Sequence, residues 1–197
     1  MEKALWFGLV MSLFIAASAF AIRRQRARVR KAWGEVAARL GGTIVPARGM
    51  GWRSQSGRVE AKIGASSVVM DHFMVSHGKH ATLYTRTRVA TLCSKRLRSY
   101  RKTIFSGIGK ALGMQDLVVG DPIYDDLFII QGDDEMWARS VLHDLLIKEH
   151  VRAPMLQLHV KDGWVETIQA GYDYDVDRLE RRMRMTAALA LSVEAHS

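Results

Sequence analysis

Residues 4–22, ALWFGLVMSLFIAASAFAI, run for nineteen positions without a charge and without a polar face. That is about the length at which a helix crosses the hydrocarbon core of a bilayer. Trp6 stands where an interfacial aromatic would anchor the outer end. The pattern then changes. In RQRARVRKAWGEVAARL (24–40), Val29, Trp33, Val36, Ala37 and Leu40 recur at three- and four-residue steps. This spacing predicts a helix with one apolar stripe, stopped by Gly41-Gly42.

From residue 43 the period falls to two. Thr43–Val45 reads as a short strand. Arg58–Ile63 alternates, with Val59, Ala61 and Ile63 against Arg58, Glu60 and Lys62. SSVVMDHFMVS and ATLYTRTRVATL are β-branched and aromatic, and HGKH between them marks a corner. In the second, Leu83, Thr85, Thr87 and Val89 oppose Tyr84, Arg86, Arg88 and Ala90, which predicts a meander with one cationic face. A strand around Tyr100–Phe105 and a short helix around Ile108–Leu112 follow. GIGKALG (107–113) lacks the spacing of a phosphate-binding loop, so its glycines read as caps and turns.

The last third is more regular. Gly120-Asp121-Pro122 is a turn, Leu127–Ile130 a buried strand, and a helix starts near Asp133, carrying Trp137, Val141, Leu142, Leu145 and Leu146. A second helical segment covers 149–156, bent or restarted by Pro154. LQLHVKDGWVETIQAG is a hairpin turned by Asp162-Gly163. The final helix buries Val176, Leu179, Met183, Thr186, Ala187, Ala190 and Val193. The class is therefore α+β: an N-terminal transmembrane helix, then one domain with an antiparallel sheet packed by two or three helices. The divisions are 1–22 as anchor, 23–41 as a basic juxtamembrane helix and 42–197 as a cytoplasmic domain.

Charge sharpens this picture. RRQRARVRK carries six cations in nine residues, Arg23, Arg24, Arg26, Arg28, Arg30 and Lys31, directly after the apolar run. A cleaved signal peptide would carry its positive block before the apolar run. Here the block follows it, which by the positive-inside rule holds the C-terminal side in the cytoplasm, as in a single-pass inner-membrane protein. The net charge of +9 is uneven: +6 over residues 1–31, +11 over 32–115 and −8 over 116–197. Between Asp71 and Asp116 there is no acid and there are nine bases. Arg86, Arg88, Lys95, Arg96, Arg98, Arg101 and Lys102 are thus candidates, with the Arg23–Lys31 block, for contact with an anionic inner leaflet or an acidic protein partner. The competing expectation is that the basic and acidic halves neutralise each other within one fold.

Candidate chemistry is thin. Asp121, Asp125, Asp126, Asp133, Asp134 and Glu135 crowd fifteen residues, but fail the calcium-loop spacing, with Ile123 at the third position and Gly132 at the twelfth. Asp133–Glu135 suit a helix start. His72 lies on a predicted strand, while His77 and His80 flank its turn, so these read as exposed histidines at a hairpin end rather than a metal site. The lone Cys93 forms no internal disulfide and reads as a small buried hydrophobe. No serine elbow or cofactor fingerprint frames a nucleophile, so no cofactor is expected. Arg86–Lys102 lacks a nucleic-acid recognition motif.

GDPIYDDLF (120–128) and the helix WGEVAARLGG, with Trp33, Ala37 and Leu40, resemble a pattern of bacterial membrane-anchored proteins without an assigned activity. These share one N-terminal span, a β-rich middle and G-D-P-x-[FY]-D-x-x-F. Gly120, Asp121, Pro122, Asp125 and Phe128 match, with Asp133 capping the next helix, and Tyr124 stands where Phe is usual. The resemblance implies a membrane-anchored α+β domain and brings no catalytic residue. The expected function is a membrane-anchored binding or adaptor domain rather than an enzyme. The alternatives are a metal-dependent hydrolase using Asp121, Asp125 and Asp126, and a nucleic-acid-binding module.

Overall fold

The computed structural model describes residues 2–46, 57–78, 80–102 and 117–197, with residues 2–5, 8, 9 and 77 described by backbone alone. The expected anchor and juxtamembrane helix are one unbroken helix, α1 (Glu2–Arg39). At 1.5 Å per residue it is about 57 Å long. Its two halves have opposite surroundings. Of the predicted stripe, Val29, Trp33, Val36 and Ala37 are at most 4% exposed and Leu40 is half-buried; Ala32 joins them in the core. This part of α1 therefore belongs to the core of the sheet domain. Gly41 ends the helix at φ 61°, a left-handed conformation that costs glycine little. A Cβ on Gly42 would collide with the Glu60 carbonyl oxygen, so the chain turns close against the sheet.

The sheet is larger than the sequence reading suggests. Eight strands are described: β1 (Thr43–Val45), β2 (Arg58–Ile63), β3 (Ser66–His77), β4 (His80–Ala90), β5 (Leu97–Arg101), β6 (Phe128–Gly132), β7 (Gln157–Lys161) and β8 (Trp164–Ala170). Their order is β1-β2-β3-β4-β8-β7-β5-β6, and all neighbours are antiparallel. The β7–β8 hairpin is thus inserted between two strands that precede it in the chain. Its turn holds Asp162 at φ 53° and Gly163 at φ 76°, the paired left-handed positions expected of Asp-Gly.

Five helices are described. Besides α1 they are α2 (Pro122–Leu127), α3 (Glu135–Val141), α4 (Asp144–Arg152) and α5 (Val176–Ala195). The long C-terminal helix packs on β3, β4 and β8, and α1 packs on α5, β1 and β2. One sheet face is therefore covered, and the core lies there with Val59, Val68, Met70, Val165, Leu179, Met183 and Leu189. Alternation sends the neighbouring side chains, Arg86 and Arg88 among them, to the other face.

Four local readings change. The chain after Gly120-Asp121 is not a plain turn: Asp121 Oδ1 accepts from the Tyr124 N–H at 2.8 Å and starts α2, with Pro122 in the first turn. The helix predicted to run through Leu146 breaks at Leu142–His143 into α3 and α4. The segment predicted over 149–156 is the end of α4, which stops at Arg152 because Pro154 disfavours helical backbone before it. The strand expected at Tyr100–Phe105 starts earlier, at Leu97 in β5, while residues 103–105 and the Ile108–Leu112 helix with its glycines lie outside the described residues. Among the described residues no helix is long and apolar enough to cross a membrane. The stretch expected to do so includes Ala4, Leu5, Gly8 and Leu9, which are described by backbone alone.

Candidate functional site

The thirteen basic candidates fall into two groups with opposite surroundings. Arg23, Arg24, Arg26, Arg28, Arg30 and Lys31 are all exposed and form a collar on α1 around Val29, where the helix enters the core. Arg24 and Arg28 meet the domain across a hollow shared with Phe20 and Tyr174. N-terminal to the collar the helix shows apolar side chains to every side. Trp6, Phe14 and Phe20 are 65–68% exposed, and Phe7, Val10, Leu13, Ile15 and Ile22 are exposed with them.

The second group is spoken for. Register places Arg86 opposite Asp71 on β3, and Arg88 opposite Glu166 on β8. Arg86 grips Asp71 with two nitrogens, at 3.0 and 2.9 Å, and reaches Glu166 at 3.3 Å. Arg88 lies 3.4 Å from Asp71 and over the Trp164 ring. Asp71 and Glu166 are 8% and 5% exposed. Lys95 pairs with Asp134 at 3.1 Å and lies over Trp137; Arg96 pairs with Asp133 at 3.0 Å. That Arg96 grip holds Asp133 below the usual carboxylate range. Arg98 stacks on Tyr100, Arg101 donates to Met155 Sδ, and Lys102 to the Asp125 carbonyl oxygen. The expected cationic face is an ion-pair ladder, and acids of the C-terminal half supply much of its negative charge.

The acid cluster is a joint. Asp125 accepts from the N–H groups of Val119 and Gly120 at 3.0 and 2.9 Å and fixes the loop in which Gly120 sits at φ 93°. Asp121 caps α2, and Asp126 is exposed. The cap of α3 is Asp134, not Asp133; its Oδ1 accepts from the Trp137 N–H, which lowers its pKa. Among the described residues no three His, Cys, Asp or Glu side chains converge to hold a metal ion.

The two aromatics of GDPIYDDLF belong to the core. Tyr124 and Phe128 stack on each other, both rings lie tilted against His150, and all three are buried. The Tyr124 hydroxyl bonds Ser99 at 2.8 Å and His150 Nδ1 at 2.7 Å, while His150 Nε2 bonds the Leu156 carbonyl at 2.8 Å. With Nε2–H donating to that carbonyl, Nδ1 is the acceptor and the ring is neutral. Burial lowers His150 to about 4 and pushes the Tyr124 phenol up. His72 is not an exposed hairpin histidine. It is 2% exposed, stacked 4.4 Å from Trp33 and edge-on to Tyr172, and burial lowers it to about 4.

Sequence reasoning missed one site. A hollow of about 440 Å³ lies between the end of α4, the Ala153–Leu156 segment and the first half of α5. Arg152, Arg178, Arg181 and Arg182 line it together with Met155, Leu156 and Met185. Arg182 is 3% exposed on the buried stripe of α5, beside Leu179, Met183 and Thr186. Its Nη2 donates to Asp173 at 2.9 Å and to Gln169, while its Nη1 is buried with no acceptor. Burial lowers Arg182 to about 10, so it stays charged at neutral pH. The signal was in RLERRMR (178–184): an arginine at a core position of the helical period.

No family model matches the chain, and no curated protein matches it. Among solved structures, the chain is similar to the crystal structure of the mycobacterial trehalose monomycolate transport factor A, TtfA. The TM-score is 0.55 at 8% identity, with 85% of this chain and 95% of that chain covered. At that identity the likeness is one of fold.

Proposed function

We propose that the protein is a single-pass, membrane-anchored binding domain without catalytic chemistry of its own. Residues 4–22 span the bilayer, the Arg23–Lys31 collar meets the anionic inner leaflet, and the domain lies on the cytoplasmic side. There it engages anionic lipid or an acidic protein partner. The observation that carries this reading is the first half of α1, where Trp6, Phe7, Leu13, Phe14, Ile15 and Phe20 are exposed around the helix. A helix apolar all round needs an apolar environment, and the described fold leaves these side chains exposed.

The collar supports the orientation, because it stands at the point where the apolar half ends and no carboxylate lies within it. Of the two basic segments it is the better leaflet contact, since the charges on β4 and β5 are largely committed to carboxylates, aromatic rings and carbonyls. The continuity of α1 into the core would hold the domain at a fixed attitude to the membrane. The neighbour of similar fold is described as a transport factor, which accords with a domain that holds a ligand or partner rather than transforming it.

The test is extraction of native membranes with alkaline carbonate, combined with a reporter at the C-terminus. The full chain is expected in the pellet with the reporter on the cytoplasmic side, and Leu13→Arg with Ile15→Arg should release it. Recovery of the unaltered chain in the carbonate supernatant, or a reporter on the far side, sinks the proposal.

A further inference from the structure

We infer that the hollow between α4, Ala153–Leu156 and α5 is a binding site for a phosphomonoester that carries an apolar arm. The inference goes beyond the anchor reading and does not depend on it, because every lining residue belongs to the folded domain. A buried guanidinium normally has its N–H groups paired. Arg182 has Nη2 paired with Asp173 and Gln169, and Nη1 left over.

Asp173 cannot take that last donor. Its carboxylate, 1% exposed, already accepts from Arg178 Nε and Nη2, from Arg182 Nη2 and from the Asp175 N–H. Nη1 is therefore left covered and without a protein acceptor, on a side chain that lines the hollow. A ligand whose binding uncovers it would supply the missing acceptor. Arg181 reaches the same hollow from the exposed side of α5, and Arg152 from the end of α4.

Charge identifies the headgroup. Around the hollow stand four cations, Arg152, Arg178, Arg181 and Arg182, against Glu149 and Asp173, with Asp175 close enough to act on Arg178 and Arg181. Positive charge remains in excess, and the planar fork of guanidinium suits phosphate oxygens. The other wall is apolar: Met155, Leu156 and Met185 offer a path for an acyl or alkyl arm. Methionine is well suited to this, being flexible and polarisable. The volume, about 440 Å³, is that of a small-ligand site.

The test uses the full chain in phosphatidylcholine nanodiscs, titrated calorimetrically, with empty discs as reference. Disc incorporation is scored separately, so failure of the anchor and failure of the pocket are told apart. Dihexanoyl phosphatidic acid is expected to bind, at least about tenfold tighter than glycerol 3-phosphate or inorganic phosphate. Dihexanoyl phosphatidylcholine should give no heat beyond the empty discs. Arg181→Gln, on the exposed side of the helix, should lower the affinity about tenfold with an unchanged melting temperature. Arg182→Lys should lower it further, and if that variant does not fold, Arg152→Gln takes its place. Equal affinity in Arg181→Gln and the unaltered chain overturns the inference. So does equal binding of the phosphatidylcholine. Inorganic phosphate binding as tightly as the phosphatidic acid overturns the assignment of the apolar arm.

Discussion

Two basic segments of this chain look alike on paper, and the fold treats them in opposite ways. Arg23–Lys31 stays exposed on a helix, with no acid among its own residues. Arg86–Lys102 lies on and after a central strand, where Asp71, Glu166, Asp133 and Asp134 come up against it. The difference is one of neighbours. A strand side chain has partners on the adjoining strands at fixed positions, and acids there neutralise it. On the exposed part of α1 no adjoining strand fixes an acid opposite each base, and the six side chains stay exposed. A run of bases thus says little about binding until the element carrying it is placed.

The largest break in this comparison should come from Trp33→Ala. The indole is 1% exposed, stacks on His72 and fixes α1 to the sheet side of the domain. Its loss should cost about 3–5 kcal/mol in urea unfolding. It would also free the collar from the domain, so that both basic segments sat on separately moving parts. A cost under about 1 kcal/mol would mean that α1 is not part of the core.

Acid should come next, and it should act on the fold while sparing the charge of both segments. His72 and His150 are lowered to about 4 by burial, against an ordinary value of 6.5. The unfolded chain therefore binds protons first. The stability is complete above about pH 6.5 and is lost progressively as pH falls toward 4, on the order of 3 kcal/mol for each histidine. His150→Gln should flatten that slope. If the slope between pH 6.5 and 4 is the same in the variant, His150 is not neutral in the folded state.

Much of this architecture was legible in the period of the sequence. The stripe of α5, the stripe of α1 from Val29 to Ala37, and the Asp162-Gly163 hairpin are local, and local spacing decides them. The sheet order was not legible, because β8 joins β4 across roughly eighty residues of chain, as Arg86 and Ile168 show. That one pairing brings Glu166 to Arg86 and turns an expected binding face into a ladder. In the acid cluster, the helix start near Asp133–Glu135 was readable, and Asp125 bonds the backbone of Val119 and Gly120. The short helix α2 was not readable, because six residues hold too few turns for a period. The arginine hollow was hidden for a different reason: Arg182 occupies a core position in a helix whose other arginines are exposed, and charge counting gives all of them one weight.

A smaller effect should separate the ladder from ordinary surface charge. Asp71 is 8% exposed and stands between Arg86 and Arg88. Asp71→Ala leaves both guanidinium groups short of a carboxylate, with Glu166 left to hold them. The expected loss is about 2 kcal/mol by urea unfolding, below that of a fully buried pair because Arg86 and Arg88 keep some solvent. A change under about 0.5 kcal/mol would class the ladder with surface ion pairs and restore β4 as a candidate contact surface.

The smallest effect on the fold should come from the collar, and there the comparison is sharpest. Arg24 is exposed on α1, before the helix enters the core. Arg24→Gln should change unfolding stability by less than about 0.5 kcal/mol. Its effect should appear instead in the lipids around the reconstituted chain. With spin-labelled lipids, the preference for phosphatidylserine over phosphatidylcholine should fall by about 1 kcal/mol for this one base. Added salt should erode the preference of the unaltered chain in the same direction, since these charges lie in water and are screened within about 10 Å at 0.1 M. Arg88→Gln is the matched control: it removes the same charge from the ladder, should cost stability, and should leave the lipid preference where it was. If the two substitutions change lipid preference equally, the fold has not divided the two segments, and the collar has no privileged place at the leaflet.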